Sequence, residues 1–380
     1  MASRPLNVGL IGLGTVGSQV ADRMLSWGPQ LSRRAGVELC LKRVLVRDLA
    51  KRRPIEISPG LLTTDASQIL DDPTVEVLIE VAGGDEPMRS YIEQAIQSGK
   101  HVITANKVVM AKHGPELLDQ AAEKNVDVYF EAAVGGGIPL ISAFRTDLQA
   151  NRIERVSAVI NGTTNYVLGR MASTGQQEAG YAEADPTDDI GGFDATYKLA
   201  ILASIAYEIK VRPGEIYREG IDGIEPVDFR YARELGYAIK LIAHTQRHPG
   251  RVEARVHPAM IPLDHPLARV EGAENAVFVE GDLVGQVLLV GQGAGGRPTA
   301  SAVVGEPALV QLRRPHRSDS DRRGENACLL PHPGRRPGGR AGRDRAGLRR
   351  GRRQHLELHT EGRVVARPHG RARGDDASVP

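Results

Sequence analysis

The sequence predicts an α/β fold: a doubly wound parallel sheet followed by a second α/β domain. Three observations lead there. Apolar strand-like runs alternate with helical stretches over roughly the first 140 residues, the order that builds a parallel sheet covered by helices. A glycine turn, Gly12-Leu13-Gly14-Thr15-Val16-Gly17, closes the first such run and opens the first helix, which makes the sheet Rossmann-type. At 380 residues the chain exceeds one typical domain, so two are expected.

Composition narrows the class. The hydrophobic share of 41% suffices for real cores, and with aromatics at 4% the packing must rest on Leu, Ile, Val and Ala. A net charge of +2 points neither to a nucleic-acid partner nor to a membrane surface. Cys40 and Cys328, the only cysteines, lie far apart without metal-type spacing, which excludes a disulfide scaffold. The N-terminal apolar run breaks at once into the glycine turn, unlike a signal peptide, and no apolar stretch approaches the roughly 20 residues that cross a bilayer. A cytoplasmic protein is expected.

The first strand is residues 7–11, NVGLI, and the helix SQVADRML follows the turn. Gly12 permits the tight turn, Gly14 lets backbone approach a pyrophosphate, and Gly17 lets helix and strand pack closely. The amides at Thr15 and Val16, at the helix start, face the phosphates. The second strand, Val37–Val46, ends in Arg47-Asp48. An acid there suits the ribose hydroxyls of NAD and an arginine suits the extra phosphate of NADP, so both cofactors stay open, with a lean to NADP. The strand Val75–Val81 ends in Ala82-Gly83-Gly84, and the helix Pro87–Ser98 follows. The strand HVIT reaches Thr104-Ala105-Asn106-Lys107, and VDVYFEAA ends in Val134-Gly135-Gly136-Gly137-Ile138-Pro139. These strand ends share one rim, where ligands of such sheets bind, and Lys107 on it is a catalytic candidate.

After Pro139 the pattern changes. A helix at Leu140–Ala150 leads to the strand RIERVSAVI and the polar turn Asn161-Gly162-Thr163-Thr164-Asn165. Next comes an acidic stretch, Gly180–Lys198, holding Glu183, Asp185, Asp188, Asp189 and Asp194. It runs into a helix, FDATYKLAILASIAY, on which Asp194 and Lys198 stand one turn apart. Such a loop can bring carboxylates and an ammonium around one small polar substrate. Beyond the helix, β-like runs are read around Arg251–His257, Ala276–Glu280 and Val287–Leu289. A second glycine run, Gly291–Gly296 with Gly293 inside it, precedes the helix-like PTASAVVGE. It is expected to return the chain to the cofactor domain. The expected division is 1–139 with 291–306, then 140–290, then a tail from 307 to 380.

The motifs GLGTVG, TANK, EAAVGGGIP, NGTTNY, GYAEADPT, GFDATYK, YREGIDGI and GQGAGGRPTASAVV, spread from Val8 to about Glu306, resemble those of homoserine dehydrogenase. The resemblance implies reversible, NAD(P)-dependent interconversion of L-homoserine and L-aspartate 4-semialdehyde, in a homodimer. It implies Lys107 and Lys198 at the reacting oxygen with Asp194 beside them, and Glu183 and Asp185 as substrate ligands. On the cofactor it implies Gly12, Gly14, Thr15, Val16, Gly17, Arg47, Gly83, Thr104, Lys107, Gly180 and Gly293. It also implies a sodium ion held by the Glu131 side chain with carbonyls at Val134, Gly136 and Ile138. The chemistry agrees: the hydroxyl proton must leave as hydride leaves the carbon. A lysine serves if burial and a neighbouring positive charge lower its pKa toward neutrality.

Two departures stand out. Between Met171 and Gly180 only ASTGQQEA remains, about two helical turns short of the family pattern. The tail after Glu306 is crowded with Arg, Gly and Pro, contains no lysine, and reads like a frame-shifted sequence. It is expected to be disordered and to hold no regulatory domain. Two rival readings follow. An aldehyde dehydrogenase acting through a thioester needs a cysteine at the rim, and neither cysteine is placed there. A dinucleotide-binding protein with an impaired substrate site would keep the glycines and lose the lysine chemistry.

Overall fold

The computed structural model describes residues 5–174 and 187–306, together with the two-residue strand Glu357–Leu358. The first half runs β1 (Leu6–Ile11), α1 (Thr15–Ser26), α2 (Gly28–Ala35), β2 (Leu39–Leu45), β3 (Leu62–Thr63), α3 (Ser67–Leu70), β4 (Val77–Glu80), α4 (Met88–Gln97), β5 (His101–Thr104), α5 (Lys107–Glu123) and β6 (Val128–Tyr129). These strands form one sheet in the order β3-β2-β1-β4-β5-β6, every pair parallel. Sheets of this kind bury both faces, which is why LNVGLI and VLIE carry apolar residues in near-continuous runs. The strand order turns back between β1 and β4, and the crevice beyond their carboxyl ends is the general ligand position of such sheets.

The second half comprises α6 (Leu140–Ser142), β7 (Ile153–Val159), α7 (Gly162–Thr174), α8 (Thr187–Ile190), α9 (Phe193–Tyr207), β8 (Tyr217–Arg218), α10 (Pro226–Glu234), β9 (Tyr237–His248), β10 (Arg251–Pro262), β11 (Glu274–Gly281), β12 (Gly285–Gln292) and α11 (Gly296–Gly305). Its sheet has the order β12-β11-β7-β9-β10-β13, where β13 is Glu357–Leu358, and β8 also pairs with β10. The long pairings are antiparallel; β8 and β13 run parallel to β10. This is a mixed, mostly antiparallel sheet.

The hydrophobic effect joins the two halves. One buried cluster runs from Leu78, Val102, Val109 and Leu117 of the first half to Leu199, Leu202, Ala243 and Val256 of the second. A second cluster fills the other face of the parallel sheet, where Val20 and Met24 of α1 meet Ala300, Val303 and Val304 of α11. After the glycine run, α11 thus packs on the first helix. Gly296 is needed there, because a Cβ would stand 2.8 Å from the Thr15 carbonyl oxygen.

Local expectations need correction in three places. The strand expected through VDVYFEAA is only β6, because Glu131–Ala133 turns as a 3₁₀ segment into the glycine loop. The helix expected over 140–150 is one turn, α6, followed by a π-turn at Ala143–Asp147, in which the Leu148 amide reaches the Ala143 carbonyl at 2.8 Å. β9 was not among the β-like runs. Along it Ile239, Leu241 and Ala243 alternate into the core.

Candidate active site

The cofactor crevice starts at the glycine turn. Gly12 has φ of +97°, and a Cβ on Gly17 would stand 2.0 Å from the Gly12 carbonyl oxygen, so both positions exclude a side chain. A Cβ on Gly14 would meet nothing within 4 Å: this glycine faces open space at the N-cap of α1. Thr15 and Val16 open that helix, whose first turn carries no acidic side chain, as an anion-receiving end requires. The residues present thus fit a dinucleotide. Arg47 is exposed beyond β2, while the Asp48 carboxylate accepts the Ala50 amide at 2.8 Å.

On the other side of the crevice, Gly83 and Gly84 both take positive φ, at +72° and +86°. Their turn is held from beneath by Glu80, which is fully buried and accepts the amides of Ala82 and Gly83 at 2.9 and 3.0 Å. Burial pushes the Glu80 carboxyl up, against these hydrogen bonds. Thr104, also fully buried, donates its hydroxyl to Glu80 at 2.7 Å and accepts the Asn106 amide at 3.0 Å. Its side chain thus braces the crevice from within. Asn106 caps α5 by accepting the Val109 amide at 3.1 Å and donates to the Gly84 carbonyl at 2.7 Å. Lys107, first residue of α5, is fixed at the rim by this chain of bonds.

Lys107 then crosses to the second half of the molecule. Its ammonium contacts Asp194 Oδ1, and the Lys198 ammonium lies 2.7 Å from Asp194 Oδ2 and 2.8 Å from the Ile160 carbonyl. Asp194 and Lys198 are 3% and 8% exposed, so the acid and one lysine are buried, while the Lys107 side chain, 40% exposed, reaches them from the rim. Burial pushes the Asp194 carboxyl up, but Lys198, Lys107 and their hydrogen bonds outweigh it and hold the group well below the usual carboxylate range. For Lys107, burial acts downward, and Asp194 with Asp189 and Asp188 more than compensates, so it titrates above the ordinary lysine value. For Lys107 this is the reverse of a lysine tuned toward neutrality: the shared carboxylate dominates.

Gly180, Glu183 and Asp185 lie outside the described residues. Glu131 accepts the Ile141 and Ser142 amides at 2.7 and 2.8 Å, one on each carboxylate oxygen, at the start of α6. The Glu131 amide in turn donates to Glu306 at 2.9 Å. Gly136 nests against Gly293, whose carbonyl would stand 2.7 Å from a Gly136 Cβ, and a Gly293 Cβ would collide with Asn275. The Asn275 amide is 1% exposed, and neither its N nor its O has a hydrogen-bond partner among the described residues. Val134, Gly136 and Ile138 contribute backbone carbonyls to this glycine loop, oxygen donors of the kind a hard cation takes, and that of Ile138 also accepts the Leu140 amide at 2.8 Å. Among the described residues no group of three His, Cys, Asp or Glu forms a metal cluster, and no helix is long and apolar enough to cross a membrane.

Glu80 was not singled out from the sequence, and Asn106 and Asn161 entered only as members of the strand-end motifs TANK and NGTTN, without a role of their own. Their only signal was position, each standing at or just beyond a strand end next to a candidate.

A dinucleotide crevice whose rim lysine meets a buried acid and a second lysine defines an NAD(P)-dependent oxidoreductase. Comparison with known proteins agrees. A family model described as homoserine dehydrogenase matches residues 139–306, and one described as homoserine dehydrogenase, NAD binding domain, matches residues 12–131. The homoserine dehydrogenase of Synechocystis is 45% identical over 79% of this chain and 72% of its own length. That of Bacillus subtilis is 41% identical over 81% and 73%. The crystal structure of a homoserine dehydrogenase from Thiobacillus denitrificans superposes with a TM-score of 0.77 at 46% identity, covering 81% of this chain and 73% of that one. A hyperthermophilic archaeal homoserine dehydrogenase mutant in complex with NADPH, 27% identical, covers 82% of this chain and 99% of its own at a TM-score of 0.67. The chain belongs to the homoserine dehydrogenase family, and its function is that of a homoserine dehydrogenase, an enzyme of amino-acid biosynthesis.

Proposed function

We propose that Lys107, Lys198 and Asp194 carry the proton chemistry between L-homoserine and L-aspartate 4-semialdehyde. The observation behind this is the single buried carboxylate that receives an ammonium from each half of the molecule. The nicotinamide cofactor supplies the hydride chemistry. With its pKa raised, Lys107 is an ammonium, ready to donate to the alkoxide that develops as the semialdehyde is reduced. In the oxidation of homoserine the same lysine must first be deprotonated, so that direction should rise toward alkaline pH. Lys107→Ala and Lys198→Ala should each lower kcat about a hundredfold or more. Wild-type kcat in both would refute the assignment.

Around this core, Gly12, Gly14, Thr15, Val16 and Gly17 would receive the pyrophosphate, with Arg47 near the adenosine ribose. Gly83 and Lys107 would line the nicotinamide side, supported by Thr104, and Gly293 and Gly180 would close the site. Glu183 and Asp185 would bind the substrate, Glu183 at its ammonium. A sodium ion would be held by the Glu131 side chain and by carbonyls at Val134, Gly136 and Ile138. The two sheets support reading 1–139 with 291–306 as one unit and 140–290 as the other, although β12 runs on to Gln292; of the tail from 307 only β13 is described, and it pairs with β10. Exposed Leu288 and Val290 on β12 support a homodimer through the second sheet. The absence of a membrane-length apolar helix among the described residues accords with a cytoplasmic location.

A further inference from the structure

We propose that Asn161 is a positioning residue for the reaction: its side-chain amide fixes Asp194 between the two lysines and ties the acidic turn at Asp189 to it. This rests on the reading of Lys107, Lys198 and Asp194 given above.

Asn161 is 5% exposed and stands just past β7, where α7 begins. Its Oδ1 accepts the Thr164 amide at 2.7 Å and the Thr164 hydroxyl at 2.9 Å, a helix cap. That leaves Nδ2 with both hydrogens directed the other way. One goes to Asp189 Oδ1 at 2.7 Å and the other to Asp194 Oδ2 at 2.8 Å. The opposite amide orientation would set an oxygen against two carboxylates, so the network allows only this one. All the amide's hydrogens and its oxygen are thereby engaged.

The consequence lies in how Asp194 is oriented. Its Oδ2 receives Asn161 and Lys198 together, which leaves Oδ1 turned to Lys107. Asp189 and Asp194 would otherwise repel each other; one neutral amide gives each a donor without adding a charge that would compete with the lysines. A cap alone could be Ser, Thr or Asp. Capping a helix while donating to two carboxylates requires Asn at this reach.

Two variants separate positioning from simple support. Asn161→Ser keeps a capping oxygen and loses both donors. Asn161→Asp keeps the shape and the cap and adds a negative charge beside Asp194. Both are assayed for homoserine oxidation across pH, for cofactor KM, and for melting temperature. The expected result for Asn161→Ser is a kcat lower by about tenfold or more, with cofactor KM and melting temperature near wild type. For Asn161→Asp the pH midpoint of oxidation should move up by about one unit, because the added carboxylate favours the lysine ammoniums. Wild-type kcat in Asn161→Ser, or an unmoved midpoint in Asn161→Asp, overturns the proposal. Loss of fold in both variants does so too, since it makes Asn161 a structural cap only. If Lys107→Ala and Lys198→Ala lose kcat while the Asn161 variants behave as wild type, this proposal alone fails. If the lysine variants keep kcat, the underlying assignment fails first.

Discussion

Arg47 is the residue on which we propose that cofactor choice turns. It is exposed just past β2, and the neighbouring Asp48 carboxylate is occupied by the Ala50 amide. The acid that would hold the ribose hydroxyls of NAD is therefore turned into its own loop, while the guanidinium is available for a charge-assisted contact to a 2′-phosphate. Arg47→Ala should raise the KM for NADP more than that for NAD. Equal changes for the two cofactors would remove Arg47 from specificity. Asp194 shows the reverse situation, a residue whose behaviour is set wholly by its neighbours. Its spacing from Lys198 was visible in the sequence as an ordinary helix pair. The second lysine, eighty-seven positions earlier in the chain, came to the same carboxylate only in the fold.

At the scale of elements, the parallel sheet was legible because each strand is an apolar run closed by glycines or a polar turn. The rim residues followed, since carboxyl ends of parallel strands share one edge. What escaped was structure decided by tertiary context. β9 becomes a strand by pairing with both β7 and β10. Glu80 and Asn161 look like unremarkable strand-end polar residues until their partners are placed. The tie between α11 and the Glu131 turn belongs here as well. Glu306, at the C-terminal end of α11, is 6% exposed, and its Oε2 has no partner among the described residues. Burial pushes its carboxyl up to about 8, with the Glu131 charge adding to the effect. The folded chain thus holds a proton that the unfolded chain, with an ordinary pKa near ~4.3, releases. Its contribution to stability is full below that value, falls as pH rises, and is lost by about pH 8. Glu306→Gln should flatten the melting temperature between those limits; a slope equal to wild type would contradict the buried neutral carboxyl.

The whole molecule is held as one body by a core that spans both sheets. Thermal unfolding followed by calorimetry and by Trp27 fluorescence should therefore show one cooperative transition. Two separated transitions would mean that the halves fold independently. The same continuity brings Lys107 of α5 and Asp194 of α9 together from different halves of the chain, so the reaction centre exists only in the assembled fold. That centre is tested most directly by the pH profile of homoserine oxidation in Asp194→Asn against wild type. Removing the carboxylate that raises Lys107 should lower kcat and move the alkaline midpoint down. A midpoint unchanged from wild type would contradict the shared-carboxylate account.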